Sequence, residues 1–75
     1  MKTLRNLRPG QNARVVRVHG ERALRRRIME MGLTPGTLLL LRKAAPLGDP
    51  LEISVRGYTL SLRRADAALV ELEDA

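Results

Sequence analysis

The sequence predicts a mainly β domain: a small, closed or nearly closed barrel of five strands, with one α-helix after the first strand and a short helical turn before the last. Short runs of β-branched or alternating apolar residues recur along the chain, and only one stretch changes to helical spacing. At 75 residues the chain is expected to form one domain, residues 1–75. In so small a domain, closure protects strand edges from pairing with other chains.

Five segments share the strand pattern: residues 13–18, 38–44, 51–56, 58–63 and 69–72. The second begins with a run of leucines, which is typical of a central strand. The third and fourth flank Gly57, which predicts a hairpin. A single helical turn is expected at residues 64–68, and residues 73–75 are expected to fray.

The helix is predicted at residues 21–31, where three apolar side chains recur at i, i+4 and i+7: Leu24, Ile28 and Met31. Gly20 is the expected N-cap, and Gly32 is the expected left-handed residue after the last turn. Arg27 flanks the apolar stripe. We expect its stem to lie along the core while its guanidinium bonds carbonyls or a carboxylate.

Three basic side chains, Arg22, Arg25 and Arg26, point away from the apolar stripe and form a positive ridge. Glu21–Arg25 and Arg26–Glu30 are pairs of opposite charge at i, i+4. A solvated helix face is one interpretation of this ridge. Docking on an acidic partner or on an anionic lipid surface is the other.

The loop at residues 45–50 is stiff, because two prolines fix its backbone around a glycine. Its candidate contact residues are Pro46, Leu47, Gly48, Asp49 and Pro50. Asp49 is expected to bond backbone amides within the turn. Leu47 is expected to fold into the rim of the barrel as core, and the alternative is an exposed apolar anchor. A rigid loop loses little entropy when it binds a partner.

Composition argues against catalysis and against bound cofactors. There is no cysteine, and His19 is the only histidine, so it is expected to be a lone exposed side chain and no metal site is predicted. Weak metal binding through carboxylates and His19 stays open. No nucleophile with its base and no phosphate-binding glycine loop is recognisable. No cofactor, no small-molecule substrate and no enzymatic activity are expected.

The net charge of +6 favours partners of negative potential, such as nucleic acid, an anionic membrane surface or an acidic protein. Tyr58 is the only aromatic residue, so base stacking has little support. Unspecific nucleic acid binding through phosphate contacts is the alternative function. No apolar run is long enough for a signal peptide or a membrane span, so the chain is expected to be soluble and cytoplasmic.

The sequence resembles the FeoA family, ferrous iron transport protein A, over essentially its whole length. Four segments carry the resemblance: LRNLRPGQ at 4–11, RRRIMEMGLTPG at 25–36, APLGDPLEI at 45–53 and VRGYTLSLRRADA at 55–67. Each segment alone is a weak signal, but their order and spacing together are specific.

The resemblance implies a Src-homology-3-like β-barrel with the helix packed against it. It also implies an accessory or regulatory protein that acts with FeoB, the membrane ferrous iron transporter with a GTP-binding domain. The predicted function is therefore docking on the cytoplasmic part of FeoB and modulation of iron uptake. Peripheral contact with an anionic membrane and self-association stay open.

Overall fold

The computed structural model describes all residues, 1–75. A 3₁₀ turn at Leu4–Asn6 precedes five strands and two helices. They follow in the order β1 (Asn12–Val18), α1 (Arg22–Glu30), β2 (Leu38–Ala44), β3 (Leu51–Val55), β4 (Tyr58–Leu62), α2 (Arg64–Ala67) and β5 (Val70–Asp74). This order confirms the predicted fold class, with one helix after the first strand and a short helical segment before the last.

All five strands belong to one antiparallel sheet, in the order β4-β3-β2-β1-β5. β2 is the middle strand, as its leucine run predicts. The two end strands, β4 and β5, do not pair with each other, and α2 connects them along the chain. The hydrogen-bonded ladder is therefore open at this one seam.

Sixteen buried apolar side chains form one core inside the curved sheet. β3 shows the underlying pattern most simply, because Leu51, Ile53 and Val55 are buried while the residues between them are half-buried. Because side chains along a strand alternate with a period of two, one face of each strand points toward the core. Leu4 and Leu7, which precede β1, are also buried. The 3₁₀ turn that carries Leu4 was not predicted from the sequence.

α1 packs against the barrel through Ile28, which is fully buried, with Leu24 and Met31 partly buried beside it. The predicted apolar face is confirmed. The predicted N-cap is wrong, because Glu21 takes that position with an extended backbone. Gly20 instead has a φ of +106° and turns the chain one residue earlier.

The end of α1 is held against the β3–β4 hairpin. Gly32 has a φ of +107°, which confirms the predicted left-handed residue after the helix. The Tyr58 hydroxyl donates a hydrogen bond to the carbonyl oxygen of Met31 at 2.5 Å. A Cβ atom at Gly32 would overlap that hydroxyl oxygen. Glycine is therefore required here by space as well as by backbone angle.

β5 extends further than predicted, because Glu73 and Asp74 pair with Arg14 and Ala13 of β1 instead of fraying. Asp74 also accepts a hydrogen bond at 2.5 Å from the ammonium group of Lys2. This hydrogen bond and the charge of Lys2 hold the pKa of the Asp74 carboxyl below its ordinary value. The two ends of the chain thus meet at the β1–β5 edge.

Candidate contact surfaces for a partner protein

A groove with a volume of about 940 Å³ lies between β1 and α1. One wall is residues 16–20, from the end of β1 and the turn that follows it. The other wall is one face of α1, and Pro35 adds to the lining. We call this feature the β1–α1 groove.

Three of the predicted contact residues, Arg22, Arg25 and Arg26, are brought together in this groove, where Arg17 of β1 joins them. The only acidic residue in the lining is Glu30. Arg17 was not among the contact residues predicted from the sequence. The alternation along β1 puts it outside the core, but no local pattern shows that the helix returns beside it.

None of these four guanidinium groups has an ion-pair or hydrogen-bond partner; the arginines with such partners are Arg14, Arg42, Arg56 and Arg64. The predicted pairs Glu21–Arg25 and Arg26–Glu30 do not form. Pairs between exposed side chains gain little over hydration, so spacing on a helix does not ensure contact. These guanidinium groups are therefore not paired within the chain, and Glu30 is the only acidic residue in the lining that offsets their charge.

The apolar part of the lining comes from both walls and from the following turn. Val16 and Val18 contribute from β1, Met29 from α1, and Pro35 from the turn before β2. Val18 is buried, whereas Val16 and Met29 are partly exposed. The groove therefore combines guanidinium groups with accessible apolar surface.

His19 lies in the lining of the groove and is not the lone exposed side chain that was predicted. Its side chain is 35% exposed, and its Nε2 donates a hydrogen bond at 2.7 Å to Oε1 of Glu71 on β5. The pairing of β1 with β5 brings the two together across 52 residues of sequence. A pairing this distant in sequence gives no local signal.

The loop at residues 45–50 forms a second, separate surface, and none of its residues lines the groove. Leu47 is 96% exposed, so the prediction that it belongs to the core is wrong. The Gly48 backbone N–H donates to the Ala45 carbonyl oxygen at 2.6 Å. This hydrogen bond closes a turn around Pro46 and Leu47 and leaves Leu47 at the tip.

The loop is fixed to α2. Oδ1 of Asp49 accepts a hydrogen bond from the backbone N–H of Arg64 at 2.9 Å, and the Arg64 guanidinium donates to the Gly48 carbonyl oxygen at 3.2 Å. Asp49 therefore binds the start of α2. The prediction that it bonds backbone amides within its own turn is wrong. Pro46 and Pro50 are exposed on either side of Leu47.

One further side chain with predicted contacts, Arg27, behaves differently from expectation. Arg27 is exposed and makes none of the hydrogen bonds expected of it, although it lines a smaller pocket of about 290 Å³ beside α2. Glu52, an acid near the 45–50 loop, lies 3.7 Å from Arg42 and 3.9 Å from Lys43. No three acidic or histidine side chains are grouped closely enough to hold a metal ion.

Neither helix is both long enough and apolar enough to cross a lipid bilayer. The two candidate contact surfaces are the basic β1–α1 groove and the 45–50 loop, which hydrogen bonds fix to α2. Fold and surfaces together define the class as a small β-barrel with a basic groove and an exposed, hydrogen-bonded loop.

Comparison with known proteins gives the family. The model of the FeoA domain family matches residues 2–74. A fusion of Fe(2+) transport protein A with the Fe(2+) transporter FeoB, from Porphyromonas gingivalis, is 43% identical over 70 residues. That match covers 93% of this chain and 8% of the fusion protein. The chain belongs to the FeoA family, which takes part in ferrous iron transport.

Solved structures of FeoA proteins have the same fold. The FeoA protein of Chlorobium tepidum superposes with a TM-score of 0.89 at 38% identity, over 97% of this chain and 70% of that one. FeoA of Stenotrophomonas maltophilia, solved with zinc and described as a prokaryotic SH3 domain protein, gives a TM-score of 0.84 at 28% identity. Here the match covers 97% of this chain and 91% of that one. The predicted Src-homology-3-like fold is confirmed.

Proposed function

We propose that this protein docks on the cytoplasmic part of FeoB and modulates ferrous iron uptake. The observation that carries the proposal is the Porphyromonas gingivalis relative, in which an FeoA part and FeoB belong to one chain. A covalent link holds two parts at a high effective concentration, an arrangement that suits parts which act in contact. A separate chain must supply the same contact through its surface.

The 45–50 loop supplies one candidate contact. Leu47 is an apolar side chain held out in solvent, and the loop that carries it is fixed by the hydrogen bonds to α2. Binding through such a loop buries apolar surface without the cost of ordering a mobile segment. We assign Leu47, with Pro46 and Pro50 beside it, as an anchor for the transporter.

The β1–α1 groove supplies the other candidate contact, through Arg22, Arg25 and Arg26. Positive charge attracts an acidic surface and speeds encounter with it. This role requires contact alone, with no bond made or broken by this chain. The proposal includes a location on the cytoplasmic side, where the GTP-binding domain implied by the family resemblance would be accessible.

Calorimetric titration of the soluble cytoplasmic domain of FeoB with this protein tests the docking. We expect saturable binding that weakens by about tenfold in Leu47→Ser, since a buried leucine anchor contributes on the order of 1.5–3 kcal/mol. Leu38→Ser is the matched control, because Leu38 is also an exposed leucine, 52% exposed, but lies on β2. Absence of binding at low salt, with both proteins folded, would contradict the proposal.

A further inference from the structure

The start of α1 breaks the local rules for a stable helix. Arg22 occupies the first turn, where the helix dipole disfavours a cation, and the nearest acidic residue in sequence is Glu21 at the N-cap, which does not line the groove. No side chain caps the N-terminal amides of α1. Arg22 also lies three and four positions before Arg25 and Arg26, and like charges at these spacings destabilise a helix by a few tenths of a kcal/mol.

The three arginines Arg22, Arg25 and Arg26 all line one groove, and a negatively charged occupant would offset their mutual repulsion. Arg17 adds a fourth unpaired guanidinium group from the opposite wall. The four cations converge from a strand and a helix that the core holds in place. Conflicts between local preference and global structure are expected at functional sites, where a partner compensates for them.

The occupant must also present apolar groups, because Val16, Met29 and Pro35 belong to the same lining. An inorganic anion or a phosphate backbone offers nothing for that surface. No Phe, Tyr or Trp lines the groove, and its one imidazole, that of His19, is hydrogen-bonded to Glu71, so stacking with nucleic acid bases has little support here. An acidic peptide with apolar side chains satisfies both parts of the lining.

We propose that the β1–α1 groove binds a short acidic segment of a partner protein, with carboxylates on the arginines and one or two apolar side chains on Val16, Met29 and Pro35. The face of α1 from Arg22 to Met29 extends for about 10 Å, which matches about three residues of extended chain. The identity of the partner rests on the proposed function, which makes this segment part of FeoB. The chemistry of the groove stands independently.

A synthetic peptide, Glu-Glu-Leu-Glu-Glu-Leu-Glu-Glu with blocked and fluorescein-labelled ends, tests the groove by fluorescence anisotropy. We expect saturable binding. The triple variant Arg22→Gln/Arg25→Gln/Arg26→Gln should weaken it by about tenfold or more, as loss of several charge contacts does. The control variant Arg5→Gln/Arg8→Gln/Arg63→Gln has the same net charge and alters exposed arginines outside the groove. It should change the affinity by less than about threefold.

Amide chemical shifts of the unaltered protein provide a readout that does not depend on how a variant folds. On adding the peptide, shifts should concentrate in residues 16–20 and in α1. A peptide with serine in place of both leucines should bind more weakly. Equal weakening in the two triple variants, absence of binding, or undiminished binding of the serine peptide would overturn the proposal.

Competing occupants are tested in the same assay with inorganic phosphate, duplex DNA and phosphatidylglycerol vesicles. Displacement of the peptide by any of these at lower concentration than the unlabelled peptide would also overturn it. Titration of the two triple variants with the cytoplasmic domain of FeoB separates the proposals. If FeoB binds both variants equally, the groove is not its docking site, whereas docking itself still stands.

Discussion

Gly32 lies where the chain leaves α1, directly beneath the hydroxyl of Tyr58. We predict that Gly32→Ala destabilises the protein more than Gly36→Ala. Both glycines have positive φ, +107° and +91°, but a Cβ at Gly36 meets no atom within 4 Å. Both variants incur backbone strain of about 1–2 kcal/mol. Only Gly32→Ala adds an overlap with Tyr58, which we expect to cost at least about 1 kcal/mol more.

Urea denaturation measures this difference directly. In a Tyr58→Phe background the gap between the two glycine variants should become smaller, because the hydroxyl oxygen that blocks the Cβ is gone. Equal losses for Gly32→Ala and Gly36→Ala in the unaltered background would show that space at Tyr58 does not matter.

Leu47 allows a second prediction at the scale of a residue. Since Leu47 is 96% exposed, Leu47→Ala should change the free energy of unfolding by less than about 0.5 kcal/mol. Ile53→Ala, which empties a fully buried site in β3, should cost about 2–5 kcal/mol. Thermal or urea melts of the two variants test this. A loss of more than about 2 kcal/mol for Leu47→Ala would restore its predicted place in the core.

The Lys2–Asp74 pair leads to a prediction about pH. A carboxyl whose pKa is lowered by folding stabilises the native state above its unfolded pKa, and this contribution is lost as pH falls through the folded pKa. Lys2→Gln should therefore raise the pKa of Asp74 toward its ordinary value. It should also remove this pair's contribution to the loss of native-state stability at low pH. NMR titration of the Asp74 carboxyl measures the shift. High salt should act in the same direction, because the pair is exposed. An unchanged pKa in Lys2→Gln would contradict the assignment.

At the scale of elements, the 45–50 loop and α2 stabilise each other through Asp49 and Arg64. Asp49→Ala removes the side-chain acceptor from the first backbone N–H of α2, and we expect it to cost about 1 kcal/mol. Asp49→Asn keeps an acceptor oxygen and should retain much of the stability. Chemical denaturation and amide hydrogen exchange of residues 64–67 measure the effect. Equal stability of Asp49→Ala and the unaltered protein would show that the loop is not pinned in this way.

The elements were predictable wherever a periodic pattern lies within one segment. The apolar face of α1, the central position of β2 and the β3–β4 hairpin all follow from local spacing. The extension of β5 was not predictable, because Glu73 and Asp74 are polar and become part of the strand only by pairing with β1. The same reason explains the missed contact between His19 and Glu71.

The candidate site was predictable only in part, for a related reason. Spacing on α1 grouped Arg22, Arg25 and Arg26, and two prolines marked the loop around Leu47. Spacing could not show that Arg17 lies across a groove from them, since that depends on how α1 returns beside β1. Nor could it show that Leu47 is exposed, because burial at a loop tip depends on the path of the whole chain.

At the scale of the whole molecule, the proposed function requires the fold only as a scaffold for two surfaces. A closed core of aliphatic side chains leaves the basic groove and the pinned loop in fixed positions. Surface variants that keep the core intact should therefore separate stability from function. The free energy of unfolding of the triple arginine variant should lie within about 1 kcal/mol of that of the unaltered protein, because exposed unpaired arginines contribute little to folding.

The most direct test measures FeoB itself. Ferrous iron uptake and GTP hydrolysis by FeoB in proteoliposomes are recorded with and without this protein added on the side of the cytoplasmic domain, and with Leu47→Ser and the groove variant. We predict that the unaltered protein changes at least one of the two rates in a saturable manner and that both variants need higher concentrations for the same change. Rates that stay the same at every concentration of folded protein would contradict the account.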